Sequence, residues 1–460
     1  MPIVFLLVIL NAVLIQTHQI FFLATEFEIA NRHLPTERLR VIIETDAGGD
    51  PDDEQSLVRF LLYSNEWDVE GIICNRARAR DGENLNTART GLEIVRRMVA
   101  AYGECHSNLI QHDSQYPAAE RLLQRTVPGY SDTDDGVKLI IAAVDSPDPR
   151  PIWFMNWGTD HGAAPSCLKR ALDQVLAERG PEGYSKFKSR LRISGDDRFD
   201  QHTTEFLPPF PIWVNTKGPE LERQRWYRRF GPLSANAGGF DLARDALTDH
   251  GPLGALYPTN TDIPQKEGDT PQFLYLVPTG MNDPNQPNWG SWAGRYGRNE
   301  NFSDRRVYWA NQADDWHGTI HRENSLRRWS EDFQNDFRAR LDWCVQKSSN
   351  ANHPPIPVLN GVPGREIVSI SASAGAMIKL VTTGTIDPDG DALEYSWSHY
   401  REAGTYLSEV SIPTPDASGL ELEIPQNASG TAIHIILTVR DNGEPNLTRY
   451  RRVIVNVNKE

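Results

Sequence analysis

Near its beginning, the chain places a short apolar strand directly before a turn rich in glycine and aspartate. Residues 41–43 are consecutive apolar side chains, typical of a strand buried in a parallel sheet. After the turn, residues 56–62 have the apolar spacing of a helix. This order predicts a strand, turn and helix of an α/β fold, in which ligands bind in the crevice beyond the carboxyl ends of the strands.

Three carboxylates surround this turn. Asp46 follows the strand, and Asp52 and Asp53 stand at the predicted helix start, where the helix dipole offsets part of their repulsion. A turn with a helix cap accounts for one or two of these acids, but no counter-charge stands beside the three in the sequence. We therefore expect a hard metal ion such as Ca²⁺ here, because such ions take oxygen ligands.

Predicted strands and helices continue to alternate up to about residue 347, which indicates an α/β domain with a mostly parallel sheet. The predicted strands are residues 41–44, 69–74, 151–156 and 190–195, and the predicted helices are residues 56–63, 90–101 and 163–176. We place this domain at residues 38–348. Residues 197–230 are rich in proline and aromatic side chains, and such loops near strand ends commonly form a pocket or a lid.

The composition changes at residues 349–357, where prolines predict an extended linker. Residues 358–460 then show only short strands separated by turn residues, which predicts an all-β immunoglobulin-like sandwich of roughly 100 residues. The chain is thus expected to contain two folded domains, as its length of 460 residues also suggests.

The first 25 residues predict a signal peptide, because residues 4–15 form an apolar stretch of suitable length. No lysine or arginine precedes this stretch, and no clear small-residue cleavage site follows it. Export to the periplasm or the extracellular space is the main expectation. An uncleaved membrane anchor or a misassigned start codon are the alternatives.

Charge and cysteine content restrict the partners of this chain. Its formal net charge of −15 argues against a nucleic-acid surface, and favours a neutral small-molecule, carbohydrate-like or polysaccharide ligand. The four cysteines are scattered and include no Cys-x-x-Cys pair, so no zinc site is indicated, while one or two disulfides stay open.

Several motifs carry a resemblance to a known family. The acidic turn at residues 46–53 resembles the N-terminal signature of nucleoside hydrolases, with two additional residues between its first aspartate and its aspartate pair. Residues 253–258, 267–275, 288–296 and 387–391 resemble more closely a bacterial exported family that joins a nucleoside-hydrolase-like domain to a β-sandwich, often labelled cellulose-binding. The resemblance covers nearly the whole chain after residue 39 and is weakest at residues 76–80 and 197–230.

The resemblance implies roles for individual residues. Asp46 and Asp53 become metal ligands, and Asp52 becomes the carboxylate that binds the hydroxyls of a sugar. Asp269 matches a further metal carboxylate at the start of a late helix, with an ordinary helix N-cap as the alternative. The backbone carbonyl near His161 matches the remaining ligand position.

The implied activity is the metal-dependent hydrolysis of an N-glycosyl bond in a nucleoside or related ribosyl compound. Asp46 would accept a proton from a water activated by the cation, and Asn156 would either contact the sugar or close a turn. Many nucleoside hydrolases have a histidine where this chain has Gly268, so protonation of the leaving group by that route is absent. The alternative is a non-catalytic carbohydrate-binding protein, for example for cellulose, on the same fold.

Overall fold

A computed structural model describes residues 38–49, 51–80, 89–157, 166–196, 210–213, 230–231, 235–298, 307–309 and 312–459. The predicted signal peptide and His161 lie outside these residues. None of the helices within the described residues is long and apolar enough to cross a membrane.

The first part of the chain alternates strands with helices, as its apolar patterning predicts. Its strands are β1 (Leu39–Thr45), β2 (Trp67–Cys74), β3 (Thr126–Pro128), β4 (Ile152–Trp157), β5 (Leu191–Asp196), β6 (Phe210–Trp213), β7 (Gly297–Arg298), β8 (Val307–Trp309), β9 (Asp314–Trp316) and β10 (Thr319–His321). Its helices are α1 (Asp52–Leu62), α2 (Gly91–His112), α3 (Ala119–Gln124), α4 (Asp135–Asp145), α5 (Cys167–Ser189), α6 (Gly251–Ala255), α7 (Thr270–Leu274), α8 (Asn324–Arg327) and α9 (Ser330–Asp342).

Eight of these strands form one sheet in the order β3-β2-β1-β4-β5-β6-β8-β7. All the pairings are parallel except that between β7 and β8. The strand order reverses between β1 and β4, and such a switch point opens a ligand crevice at the carboxyl ends of the strands. Asp46, which directly follows β1, therefore lies at this crevice.

The register of β1 determines which strand ends flank Asp46. Thr45, the last residue of β1, pairs with Cys74 at the end of β2 and with Trp157 at the end of β4. The end of β2 and the residues that follow it therefore lie on one side of Asp46, and the end of β4 lies on the other.

An aromatic cluster fixes α1 against the late helix α7. The Phe60 ring on α1 lies 5.6 Å from the Phe273 ring on α7, 5.6 Å from the Trp67 ring and 5.7 Å from the Trp157 ring, measured between centroids. All four side chains are fully buried. Burial of such large rings contributes several kcal/mol to stability, and it brings two segments about 200 residues apart to one place.

The second part of the chain is all β, in agreement with the predicted sandwich. Its strands are β11 (Val358–Leu359), β12 (Val362–Pro363), β13 (Val368–Ala372), β14 (Met377–Val381), β15 (Leu393–His399), β16 (Gly419–Glu423), β17 (Ala432–Asp441) and β18 (Thr448–Val457). A four-stranded sheet, β13-β18-β17-β15, and a two-stranded sheet, β14-β16, share one apolar core. The predicted fold class is thus confirmed.

The long strands β17 and β18 have one face toward each domain. Ile435 and Leu437 belong to the core of the sandwich, whereas Ile436, between them, belongs to the core of the α/β domain. On β18, Val453 lies in the sandwich core and Tyr450 lies in the α/β core. The alternation of side chains along a strand therefore explains why β17 and β18 are buried on both faces.

Candidate functional site

Hydrogen bonds hold the Asp53 carboxyl group against the end of β1. Its Oδ1 accepts hydrogen bonds from the Thr45 hydroxyl and from the Asp46 backbone N–H, the latter at 3.1 Å. The Thr45 hydroxyl oxygen also accepts a hydrogen bond from the Ala47 N–H at 3.0 Å. The carboxyl group near the start of α1 is therefore oriented by the last residue of the strand.

The turn before α7 brings Asp269 to the same place. Its backbone N–H donates to the Ser56 hydroxyl on α1 at 3.3 Å. The Gln272 amide donates to Asp269 Oδ1 at 3.2 Å and to the Asn156 carbonyl at 2.8 Å, and its oxygen accepts from the Ser194 hydroxyl at 3.1 Å. Gln272 thus connects the late turn to β4 and β5. The Asp269 side chain makes no capping hydrogen bond, unlike the N-cap that was the alternative for this residue.

A buried ion pair fixes this late turn against α1. Arg59 donates to both carboxylate oxygens of Glu267, at 2.6 and 3.1 Å, and both side chains are fully buried. The hydroxyls of Tyr257 and Thr270 also donate to Glu267, each at 2.7 Å. Because Glu267 stands two residues before Asp269, this network determines where Asp269 lies.

The carboxyl groups of the site repel one another. Burial raises the pKa of Asp53 well above its ordinary value, and the charge of Asp269 raises it further. Asp46 and Asp52 act on Asp53 in the same direction. Burial likewise raises the pKa of Asp269, together with the charges of Asp52 and Asp46. A cation among these groups would relieve both the burial cost and the repulsion.

Two arginines after β2 supply counter-charges that do not stand beside the acids in the sequence. Arg76 Nη2 lies 2.8 Å from Asp46 Oδ2, and Arg80 Nη1 lies 2.8 Å from Glu54 Oε1. Arg80 also donates to the Gly49 carbonyl at 3.0 Å. The sequence did not reveal these contacts because they join residues about 30 positions apart.

Asp52 lies against Gly268. A Cβ atom at position 268 would stand 2.3 Å from Asp52 Oδ2, closer than any real contact of this kind. The histidine that many nucleoside hydrolases have at this position would therefore require Asp52 to move. The absence of a side chain at Gly268 and the position of Asp52 are linked.

The four aspartates Asp46, Asp52, Asp53 and Asp269 are brought into electrostatic contact. Asn156 is buried in β4, where its carbonyl accepts from Gln272. Across the residues described, no group of three or more His, Cys, Asp or Glu side chains is arranged to hold a metal ion.

The donor chemistry nevertheless fits a hard cation. The oxygens are carboxylate oxygens, and the pKa values of Asp53 and Asp269 are raised by the burial and repulsion that a cation offsets. In this arrangement the Asp46 carboxylate is engaged by Arg76.

Sequence reasoning missed three residues of this site, namely Arg59, Arg76 and Gln272. Gln272 had a usable signal, because it follows Asp269 by three residues and so lies on the same side of a helical turn. Arg59 and Arg76 had none, because their partners are distant in the sequence.

Comparison with known families identifies the family of this chain. Residues 40–296 match the family described as "Cellulose-binding Sde182, nucleoside hydrolase-like domain". The chain belongs to this family. Residues 377–457 match the C-terminal domain described for cellulose-binding protein Sde0182. The resemblance stated from the motifs is thereby confirmed for the Sde182 family.

A solved structure similar to this Sde182-family chain comes from Saccharophagus degradans. It is described as a nucleoside hydrolase-related hypothetical protein that is associated with carbohydrate metabolism. The two chains are 34% identical, the TM-score is 0.70, and the match covers 91% of this chain and all of the other. Among functionally curated proteins, none matches the chain.

Proposed function

We propose that this protein is an exported, metal-dependent hydrolase of N-glycosyl bonds that acts on a nucleoside or a related ribosyl compound. The observation that carries the proposal is the pair of carboxyl groups at the switch point of the sheet, where Asp53 is buried and the partly buried Asp269 acts on it through its charge. Buried carboxyl groups that repel one another are costly unless they serve a ligand or a reaction, so such groups in a crevice mark a functional site.

The proposed cation is Ca²⁺ or a similar hard divalent ion. Asp46, Asp53 and Asp269 would hold it through carboxylate oxygens, with the backbone carbonyl near His161 as a further ligand implied by the family resemblance. When bound, such an ion lowers the pKa of a water beside it.

The side chains of the chain itself then perform the remaining steps. Asp46 accepts the proton from the attacking water, as a general base. Asp52 orients the ribose by accepting hydrogen bonds from its hydroxyls, and Asn156 is proposed to contact the same sugar. As the N-glycosyl bond breaks, positive charge develops on the sugar ring, and the neighbouring carboxylates stabilise it. Gly268 supplies no acid, so the leaving base must gain its proton from another source.

The test is the release of free ribose from inosine, uridine and p-nitrophenyl riboside, with Ca²⁺ and after treatment with a chelator. We expect turnover with Ca²⁺, and a loss on the order of a thousandfold in Asp46→Ala, since one group that stabilises the transition state is removed.

Asp173→Asn is the matched control for this test. Asp173 is a half-exposed carboxylate on α5 that pairs with Lys169, and it has no place in the proposed chemistry. The rate of ribose release by Asp173→Asn should equal that of the wild type. Absence of turnover on all three compounds, with Ca²⁺ present and the protein folded, would contradict the hydrolase proposal for these substrates.

A second candidate function is non-catalytic binding of a carbohydrate such as cellulose. It is supported by the description of both matching family models, which name cellulose binding. Sedimentation with microcrystalline cellulose distinguishes the two. Depletion of the protein from solution, together with no ribose release, would favour the binding function.

A further inference from the structure

The loop after β2 holds Arg76 in a fixed position beside the acidic crevice. The backbone N–H of the preceding residue, Asn75, donates to the Thr45 carbonyl at 2.9 Å and so extends the pairing of β1 and β2. The carbonyl of Arg76 accepts a hydrogen bond at 2.8 Å from the Gly91 N–H, at the start of α2. The main chain at Arg76 is therefore anchored from two sides.

Two glycines leave room for the Arg76 side chain. A Cβ at position 49 would stand 2.6 Å from Arg76 Nη2, and a Cβ at position 91 would stand 3.2 Å from Arg76 Cβ and 2.6 Å from the Ala47 carbonyl oxygen. Neither glycine has a backbone conformation in the left-handed region. A side chain at either position would therefore be disfavoured by lack of space and not by backbone strain. The approach of Arg76 to the crevice thus depends on both glycines.

The Arg76 guanidinium contacts the carboxylate that the proposed reaction uses first. Its Nη2 lies 2.8 Å and its Nε lies 3.3 Å from Asp46 Oδ2. The Arg76 side chain is 35% exposed and that of Asp46 is 13% exposed, so this ion pair is partly open to solvent. A divalent cation that bound this oxygen would have to displace the arginine and would be repelled by its charge.

We infer that Arg76 competes with the divalent cation for Asp46, and so acts as a built-in counter-ion that sets how readily the crevice takes up metal. This inference rests on the proposed function, because it concerns the same cation site. At low cation concentration, the arginine neutralises Asp46. When the cation binds, the guanidinium leaves Asp46 Oδ2. Arg76 is thus a positioning residue that lowers the affinity of the metal site.

The test is calorimetric titration of the full chain with Ca²⁺ alone, for the wild type and for Arg76→Gln. Removing the guanidinium should tighten Ca²⁺ binding by about fivefold, which corresponds to about 1 kcal/mol, the upper range for a partly exposed ion pair. Gly49→Ala should act in the same direction, because its methyl group displaces the guanidinium from Asp46.

Arg80→Gln is the matched control. Arg80 lies on the same loop and carries the same charge, but it pairs with Glu54, which is not a proposed metal ligand. Its replacement should change Ca²⁺ affinity by less than twofold, since only the longer-range charge is lost. Thermal unfolding of each variant checks that the fold is retained.

The outcomes separate this inference from the function on which it rests. Equal Ca²⁺ affinity in the wild type and Arg76→Gln, or an equal gain in Arg80→Gln, would overturn the competition while leaving the metal site in place. No Ca²⁺ binding by any of the proteins would overturn the metal site and the competition together. Tighter binding in Arg76→Gln and Gly49→Ala, without a gain in Arg80→Gln, would support the inference.

Discussion

The side chains that orient the site are themselves buried and charged. Arg59 and Glu267 are both fully buried, and they are joined by two hydrogen bonds at 2.6 and 3.1 Å. Arg59 also donates to the side-chain amide oxygen of Gln334, Oε1, at 2.7 Å, and its guanidinium lies 3.7 Å from the centre of the Phe337 ring. Both charges are therefore compensated inside the protein, and neither partner is replaceable alone.

We expect Glu267→Gln to lower the free energy of unfolding by about 3–5 kcal/mol, because it leaves the Arg59 charge buried without its partner. It should also weaken Ca²⁺ binding, since Asp269 stands two residues further along the same turn. Urea denaturation and calcium titration measure the two effects. Asp173→Asn, at a half-exposed ion pair, should stay within about 1 kcal/mol of the wild type. A change in the free energy of unfolding of less than about 1 kcal/mol in Glu267→Gln would contradict the stabilising role of the Arg59–Glu267 ion pair.

At the scale of elements, His250 joins the start of α6 to the end of α9. The His250 Nδ1 donates to the Thr248 carbonyl at 2.6 Å, and the Nε2 donates to Asp342 Oδ1 at 3.0 Å. Both ring nitrogens of His250 face acceptors, so both bonds require the charged imidazolium. Burial alone lowers the pKa of His250, but the hydrogen bond and charge of Asp342 outweigh it, and the pKa is raised.

The raised pKa predicts a pH dependence of stability. His250 contributes its stabilisation fully below its unfolded pKa of about 6.5, and this is lost as the pH rises through the higher folded pKa. The difference in free energy of unfolding between the wild type and His250→Gln should therefore be larger at pH 6 than at pH 9. Asp342→Asn should remove most of this pH dependence. Urea denaturation at both pH values measures this difference in the free energy of unfolding. A difference that is larger at pH 9 than at pH 6 would contradict the raised pKa of His250.

The sequence predicts local elements well and distant contacts poorly. The runs that became β1, β2, β4 and β5 were predicted because apolar periodicity is a local property. Asp46, Asp52 and Asp53 were found together because one turn contains them, and Asp269 was reached through the family resemblance. The contacts of Arg76 with Asp46 and of Arg59 with Glu267 span 30 and 208 positions, and only the folded sheet brings them together.

At the scale of the whole molecule, the two domains share a buried polar interface. Asp336 on α9 accepts from Arg340 of its own helix and from Arg449 of β18, each at 2.8 Å. Asp332, one turn earlier, accepts from the Thr448 hydroxyl at 2.9 Å and from Arg440 at 2.8 Å. Because these groups are mostly buried and paired across the interface, separating the domains would expose an apolar surface and break ion pairs at the same time.

The pKa of Asp336 reflects both its burial and the charges of its two arginine partners. Burial alone raises it, but the positive charges of Arg449 and Arg340 outweigh burial, and the pKa falls well below its usual range. The stabilisation from Asp336 is therefore present above its unfolded pKa of about 3.9, and it is lost as the pH falls through the lower folded pKa.

We expect the two domains to unfold in one transition, and Asp336→Asn to lower the free energy of unfolding by about 3–5 kcal/mol at pH 7, because two buried arginines lose their common partner. Glu421→Gln is the control: Glu421 pairs with Lys379 on the exposed face of the sandwich, where both side chains are more than half exposed. Its effect should stay below about 1 kcal/mol. Calorimetry of both variants and the wild type measures these quantities. Two separate transitions in the wild type would show that the sandwich folds independently of the α/β domain, and the interface would then not couple them.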